Sequence, residues 1–194
     1  MRPLTRADIL NPDDYERRRP ELRAANIARK RLRRVHVGPF ATFYFECRET
    51  MRMQIQEMLR IERGGEEQIA GELEAYNPLI PRGSELVATM MLEIDDAAHR
   101  AAVLARLGGI ETTIALTVAG GRIPGVPTDP EEERTTPEGK TSSIHFLRFA
   151  FDAPAIAAFR APGAQVALGV GHPNYTHTAL VPEPVREALA KDFD

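Results

Sequence analysis

The chain has 194 residues, of which 43% are hydrophobic and 27% are charged, and these proportions exclude wholesale disorder. Its single cysteine, Cys47, excludes an internal disulfide and a cysteine-rich zinc or iron–sulfur site, and no apolar run approaches the roughly 20 residues of a membrane span. The first residues lack the apolar core of a signal peptide, so we expect a cytoplasmic protein.

Positive charge is concentrated at the N-terminus. Residues 1–34 contain eleven Lys/Arg and five Asp/Glu, a net charge of +6, whereas the remainder contains fourteen and twenty-three, a net charge of −9. Two interpretations are open: a phosphate-binding arm, and a solvated helix face that pairs with the acidic remainder. The absence of interleaved aromatic side chains favours the second and disfavours nucleic acid as a partner.

The first third of the chain predicts helices around one hairpin. Asn11 followed by Pro12 is typical of a helix start, and Pro20 inside the continuing pattern predicts a kink or two short helices between 12 and 32. Residues 34–46, interrupted by Gly38-Pro39, predict a β-hairpin. A helix over 49–62 and a second one ending near Tyr76 are then indicated by apolar residues at helical spacing. The stripe of the first is Met51, Ile55, Met58 and Leu59.

From residue 85 the apolar period changes to two. The order strand, helix, strand, turn, strand occurs over 85–126 and again over 143–181, and both helices follow an aspartate. A duplicated βαββ unit explains this agreement, and a chance match within an α+β chain is the alternative. The acidic, proline-rich residues 127–142 between the units predict a long loop that is mobile or acts as a lid.

These elements predict an α+β fold in which a mixed, mainly antiparallel sheet with flanking helices is built on a duplicated βαββ core. We expect one domain over 1–194. Residues 1–82 would supply helices and a hairpin that cover the sheet, and residues 83–194 would form the sheet core.

The densest group of metal-ligating side chains follows Gly171. His172, Tyr175 and His177 lie at a predicted turn, and His145 on a neighbouring strand could join them to ligate a divalent metal. The spacing matches no established zinc motif, so a polar turn with hydrogen-bonded histidines is the open alternative.

A second candidate site begins the helix over 49–62. Arg48, Arg52 and Arg60 together with helix amides would bind an anion, and the helix N-terminus would lower the pKa of the Cys47 thiol. The alternative is a capped helix whose charges form ion pairs along its surface. Nucleotide-binding, hydrolase and zinc-protease motifs are absent from the sequence.

Several segments together resemble an uncharacterised bacterial family. They read FECRET over 45–50, QIQEMLR over 54–60 and ELEAYNPLIP over 72–81, with LTRAD over 4–8 and HPNY over 172–175. They are similar to domain-of-unknown-function family 3501. Members of that family are often encoded beside rubrerythrin and iron–sulfur oxidoreductase components, so the resemblance implies a link to peroxide defence or electron transfer.

Three functional hypotheses follow. The first is a non-enzymatic accessory or interaction protein whose partner is an iron–sulfur oxidoreductase or a rubrerythrin-type protein. The second is a metal- or small-molecule-binding enzyme with its site in the cleft between the two βαββ halves. The third is a nucleic-acid binder that uses residues 17–34. A homodimer is left open, and no membrane association is expected.

Overall fold

The computed structural model describes residues 2–131 and 133–194 and contains six α-helices in those ranges. None of these helices is long and apolar enough to cross a membrane. The helices are α1 (Pro12–Arg31), α2 (Arg48–Glu62), α3 (Gly65–Tyr76), α4 (Ala97–Leu104), α5 (Ala153–Arg160) and α6 (Glu183–Leu189).

Eight strands form one sheet in the order β1-β2-β3-β6-β5-β4-β7-β8, and each of the pairings between neighbours is antiparallel. The predicted α+β class with flanking helices is confirmed, and the sheet is more regular than the mixed one expected. The strands are β1 (Arg34–Val37), β2 (Ala41–Phe45), β3 (Glu85–Leu92), β4 (Ile114–Val118), β5 (Gly121–Pro127), β6 (Ile144–Ala150), β7 (Val166–His172) and β8 (Tyr175–Leu180).

The sheet curls until its two edge strands approach each other, which gives a nearly barrel-like shape. The Tyr175 hydroxyl at the start of β8 donates to the Val37 carbonyl at 2.7 Å and accepts the Phe40 and Ala41 amides at 2.9 Å. Gly38 has a φ of +69°, and a Cβ there would lie 2.6 Å from the His177 ring. Only glycine therefore fits the β1–β2 turn where it meets β8.

The βαββ order occurs twice, as β3-α4-β4-β5 and β6-α5-β7-β8. The first strands of the two units pair with each other, and so do the second strands, both in antiparallel fashion. A two-fold relation between the units would place equivalent strands in this way. The β1–β2 hairpin lies between β3 and the approaching β8. An origin by duplication stays a prediction that superposition of the units tests.

Two apolar clusters fill the molecule. The larger lies inside the curled sheet and includes Phe43, Phe149 and Leu168, all fully buried. The smaller joins the outer face of β3, through Val87, to α2 and α3, where Ile55 is fully buried. Both faces of β3 are thus covered, as its apolar pattern predicts.

Helix α1 packs weakly for its length. It is one continuous helix that Pro20 does not divide, and Asn11 caps it by accepting the Asp14 amide at 2.9 Å. Tyr15 is the single residue of its 20 that is buried. Most of its charged side chains therefore remain in water. In α2, by contrast, the predicted stripe is confirmed, since Met51 and Ile55 are buried and Met58 and Leu59 half-buried.

Candidate anion-binding groove

The strand register places His145, His172, Tyr175 and His177 toward the same end of the sheet. His172 and Tyr175 are buried, and their polar atoms already have partners. Nε2 of His172 lies 3.2 Å from the Gly108 carbonyl, and its Nδ1 accepts the Asn174 amide at 3.2 Å. The Tyr175 hydroxyl holds the sheet edges together, while His177 is exposed and packs its ring against Tyr175.

His145 is buried in a different set of contacts. Its Nε2 lies 3.0 Å from the Thr141 hydroxyl and 2.9 Å from the Ser142 carbonyl, and its Nδ1 lies 3.7 Å from a Glu111 carboxylate oxygen. The cavity beside this pair is about 20 Å³, which is room for about one water. Residues 2–131 and 133–194 contain no group of three His, Cys, Asp or Glu side chains arranged to hold a metal. The metal hypothesis stays a prediction.

The three arginines singled out on α2 turn to three different places. Arg48 forms an ion pair with Asp8 in the N-terminal segment at 2.5 Å, and Arg60 pairs with Glu16 on α1 at 2.5 Å. Arg52 lies in the groove between α1 and α2. The structure does not bring the three guanidinium groups together, and anion binding by these residues stays a prediction.

Arg52 instead meets two arginines from α1. Arg18, Arg29 and Arg52 line a groove of about 110 Å³, together with the single acidic residue Glu49. Among the residues that the structure describes, none of the three guanidinium groups forms a hydrogen bond or close ion pair with an acidic side chain. The α1–α2 groove therefore carries a net positive charge that the fold itself does not neutralise.

Glu49 responds to this charge. Burial opposes its ionisation, but backbone hydrogen bonding, the Cys47 thiol, and the charges of Arg29 and Arg52 outweigh that effect and lower its pKa. Glu49 is thus ionised at neutral pH and offsets one of the three arginine charges. A net charge of about +2 remains for a ligand.

The expectation that the helix N-terminus lowers the pKa of the Cys47 thiol is wrong. Cys47 is buried, and loss of solvation raises its pKa despite the nearby charge of Arg33. Arg33 is itself engaged, because it binds both carboxylate oxygens of Asp192 and the carbonyls of Phe45 and Glu46. Cys47 has the environment of a structural rather than a reactive thiol.

The sequence placed Arg18 and Arg29 in the basic segment over 17–34, as part of a phosphate- or nucleic-acid-binding arm, but did not assign them to a groove shared with α2. The signal was present, since Arg18, Leu22, Ala25 and Arg29 recur at i, i+4, i+7 and i+11 and so share one helix face. The sequence pattern does not show which element packs against that face of the helix. Only the packing of α1 on α2 brings Arg52 into the same groove.

The fold and groove define a class: an α+β protein with a nearly closed antiparallel sheet and a basic helical layer. A family profile described as "Protein of unknown function (DUF3501)" matches residues 3–193. The chain therefore belongs to this family, as the resemblance predicts. It is also similar to a protein whose crystal structure is described as that of a novel protein of unknown function from Burkholderia pseudomallei K96243. The identity is 38%, all of both chains is covered, and the TM-score is 0.91. No curated protein matches the chain.

Proposed function

We propose that this protein is a cytoplasmic, non-enzymatic binding protein whose α1–α2 groove docks an acidic surface of an iron–sulfur or rubrerythrin-type redox protein. The observation that carries this proposal is the set of Arg18, Arg29 and Arg52, whose charge is offset only by Glu49. Guanidinium groups held by a helix pair are suited to carboxylates, because their planar donors bind both carboxylate oxygens.

An acidic protein fits this groove better than a nucleic acid does. The only aromatic residue of α1 is Tyr15, which is buried, so the exposed face of the helix offers no ring for bases to stack on. A groove of about 110 Å³ takes side chains and not a strand of nucleotides. Charge without stacking favours a partner that presents aspartates and glutamates.

The redox class of the partner rests on the family resemblance and on the kind of complex this surface suits. Electron-transfer proteins form small, transient interfaces, and complementary charges accelerate their encounter. A basic face on an acidic protein orients such an encounter, because the rest of the surface repels the same partner. Attracting and orienting a partner by charge needs no catalytic group on this chain.

Isothermal titration calorimetry tests the proposal with the rubrerythrin-type protein and the iron–sulfur oxidoreductase component of the same organism. The test variant replaces Arg18, Arg29 and Arg52 with Gln. The control replaces three exposed arginines outside the groove, Arg82, Arg106 and Arg122, with Gln, so that both variants change the net charge equally.

We expect the groove variant to lose at least tenfold in affinity for one partner and most of the salt dependence, while the control stays within about threefold. Equal losses in both variants would show that only net charge matters and would overturn the docking site, as would no binding of either partner. Tighter binding of a single-stranded DNA 20-mer than of either protein would favour the nucleic-acid alternative.

A further inference from the structure

A well-formed recess of the helical layer lies on the other side of Tyr15 from the groove. It has a volume of about 400 Å³, within the range of ligand pockets, and it opens between the start of α1, the end of α2 and the start of α3. Leu59, Ile69 and Leu10 supply apolar surface, and the aromatic ring of Tyr15 joins them. We call it the α1–α3 cavity.

The wall of the α1–α3 cavity is held rigidly. The Tyr15 hydroxyl donates to Glu57 at 2.5 Å, and the same carboxylate takes two hydrogen bonds from Arg19 at 2.8 and 2.9 Å. The Gln56 side chain accepts the Leu10 amide at 2.6 Å and donates to the Leu10 carbonyl at 3.4 Å. These bonds fix the residues that separate cavity from groove, so the recess is preformed.

Charged side chains frame the opening. Arg6 of the N-terminal segment pairs with Glu66 on α3, and Arg60 of α2 pairs with Glu16 on α1. Both pairs are solvent-exposed, so each is worth little to the fold and can exchange its carboxylate for another anion. The rim thus carries two arginines that a ligand can reach at small cost.

Arg63 adds a third cation that the fold leaves unused. It has no hydrogen bond or ion pair from its side chain within the described residues. Its backbone has a φ of +56°, a left-handed conformation that normally favours glycine at the end of a helix. An arginine kept in that conformation, at the rim of a cavity, points to a role beyond ending α2.

We propose that the α1–α3 cavity binds a small molecule with an apolar body and a single anionic group. The apolar floor excludes a fully hydrophilic ligand, because the polar groups of such a ligand would be buried against apolar side chains without hydrogen-bond partners. Three arginines against two glutamates leave a net charge of about +1, which one carboxylate neutralises. The site is distinct from the α1–α2 groove and does not depend on the docking of a protein partner.

The test uses the full chain with octanoate as the anionic probe and octanamide as its neutral counterpart, measured by displacement of 8-anilinonaphthalene-1-sulfonate. We expect the apparent dissociation constant of octanoate, measured by dye displacement, to be at least fivefold lower than that of octanamide. Arg63→Gly should abolish that preference. The same variant should raise the unfolding temperature, because glycine suits the left-handed backbone at this position.

Leu59→Trp fills the floor with a larger side chain and should weaken both probes at least tenfold. If that variant unfolds, the Arg63→Gly comparison still decides. Equal affinity for the two probes, or an unchanged preference in Arg63→Gly, would overturn the proposal. So would dye exclusion that accompanies dimer formation, since a second copy would then cover the cavity. The groove variant should keep octanoate binding, which separates this site from the docking site.

Discussion

The curled sheet and the helical layer use their polar side chains in opposite ways. At the histidine end of the sheet, His172 and Tyr175 are buried and their polar atoms are bound to backbone groups. In the helical layer, Arg18, Arg52 and Arg63 line a groove or a cavity, and their guanidinium groups form no hydrogen bond or close ion pair within residues 2–131 and 133–194. The polar side chains that complete the sheet are therefore already bonded within the fold, whereas these cations on α1 and α2 remain available for ligands.

The largest effect should come from the buried ion pair at the opposite end of the sheet. Arg33→Met leaves the Asp192 carboxylate buried without its cation, so we expect a loss of about 3–5 kcal/mol in the free energy of unfolding. Urea unfolding followed by circular dichroism measures it. The double variant Arg33→Met/Asp192→Leu should recover much of the loss. A single variant as stable as the parent would contradict a sheet held by buried polar contacts.

Removing one hydroxyl should have the next largest effect. Tyr175→Phe leaves the Val37 carbonyl and the Phe40 and Ala41 amides without their partner, and we expect a cost of about 1–3 kcal/mol. Tyr44→Phe is the matched control, because Tyr44 is half-buried and its hydroxyl donates to Glu93 rather than to backbone groups of the sheet edges. Equal costs in the two variants would mean that the hydroxyl does not close the sheet.

Substitution of His172 and His177 tests the comparison between the sheet and the helical layer through both stability and metal content. His172→Ala should cost about 1–2 kcal/mol, because it removes a buried ring that is bonded to the Gly108 carbonyl and the Asn174 amide. His177→Ala should cost less, since that ring is exposed. If the metal hypothesis holds, elemental analysis of untagged protein should show metal in the parent that the His172→Ala/His177→Ala double variant has lost. Equal metal content in the two proteins would contradict the metal site.

Acid should weaken the anchor of the N-terminal segment. Arg48, with backbone and hydroxyl bonds from Thr5, lowers the pKa of Asp8 from 3.8 to about 2. The folded state therefore favours the charged form, and this stabilisation is present above pH 4 and is lost as the pH falls toward 2. Asp8→Asn should remove about 1 kcal/mol at pH 7 and flatten the pH dependence between 4 and 2. Asp13→Asn, at an exposed position, should leave that dependence intact.

The smallest effect on stability should be in the α1–α2 groove. Replacing Arg18, Arg29 and Arg52 with Gln should change the free energy of unfolding by less than about 0.5 kcal/mol, because the residues that the structure describes form no hydrogen bond or close ion pair with these side chains. Thermal unfolding at low salt measures it. A loss of several kcal/mol would show that these cations support the fold, and the contrast with the sheet would fail.

Local signals were sufficient for most elements of this protein. The Asn11 cap, the Gly38-Pro39 turn and the alternating run over 85–92 each act within a few residues, so the helices, the hairpin and the doubly covered strand could be predicted from the chain. The repeated βαββ order is likewise visible in the sequence because it is a pattern of neighbours.

Tertiary structure alone decided which polar groups are free. The polar atoms of His172 and Tyr175 are bonded to backbone groups, and burial raises the pKa of Cys47. The residue types alone had suggested metal ligands and a reactive thiol. The same packing brought Arg52 of α2 opposite Arg18 of α1, 34 positions apart in the sequence. Burial and hydrogen-bond pairing are properties of contacts between distant segments, and a one-dimensional pattern does not contain them.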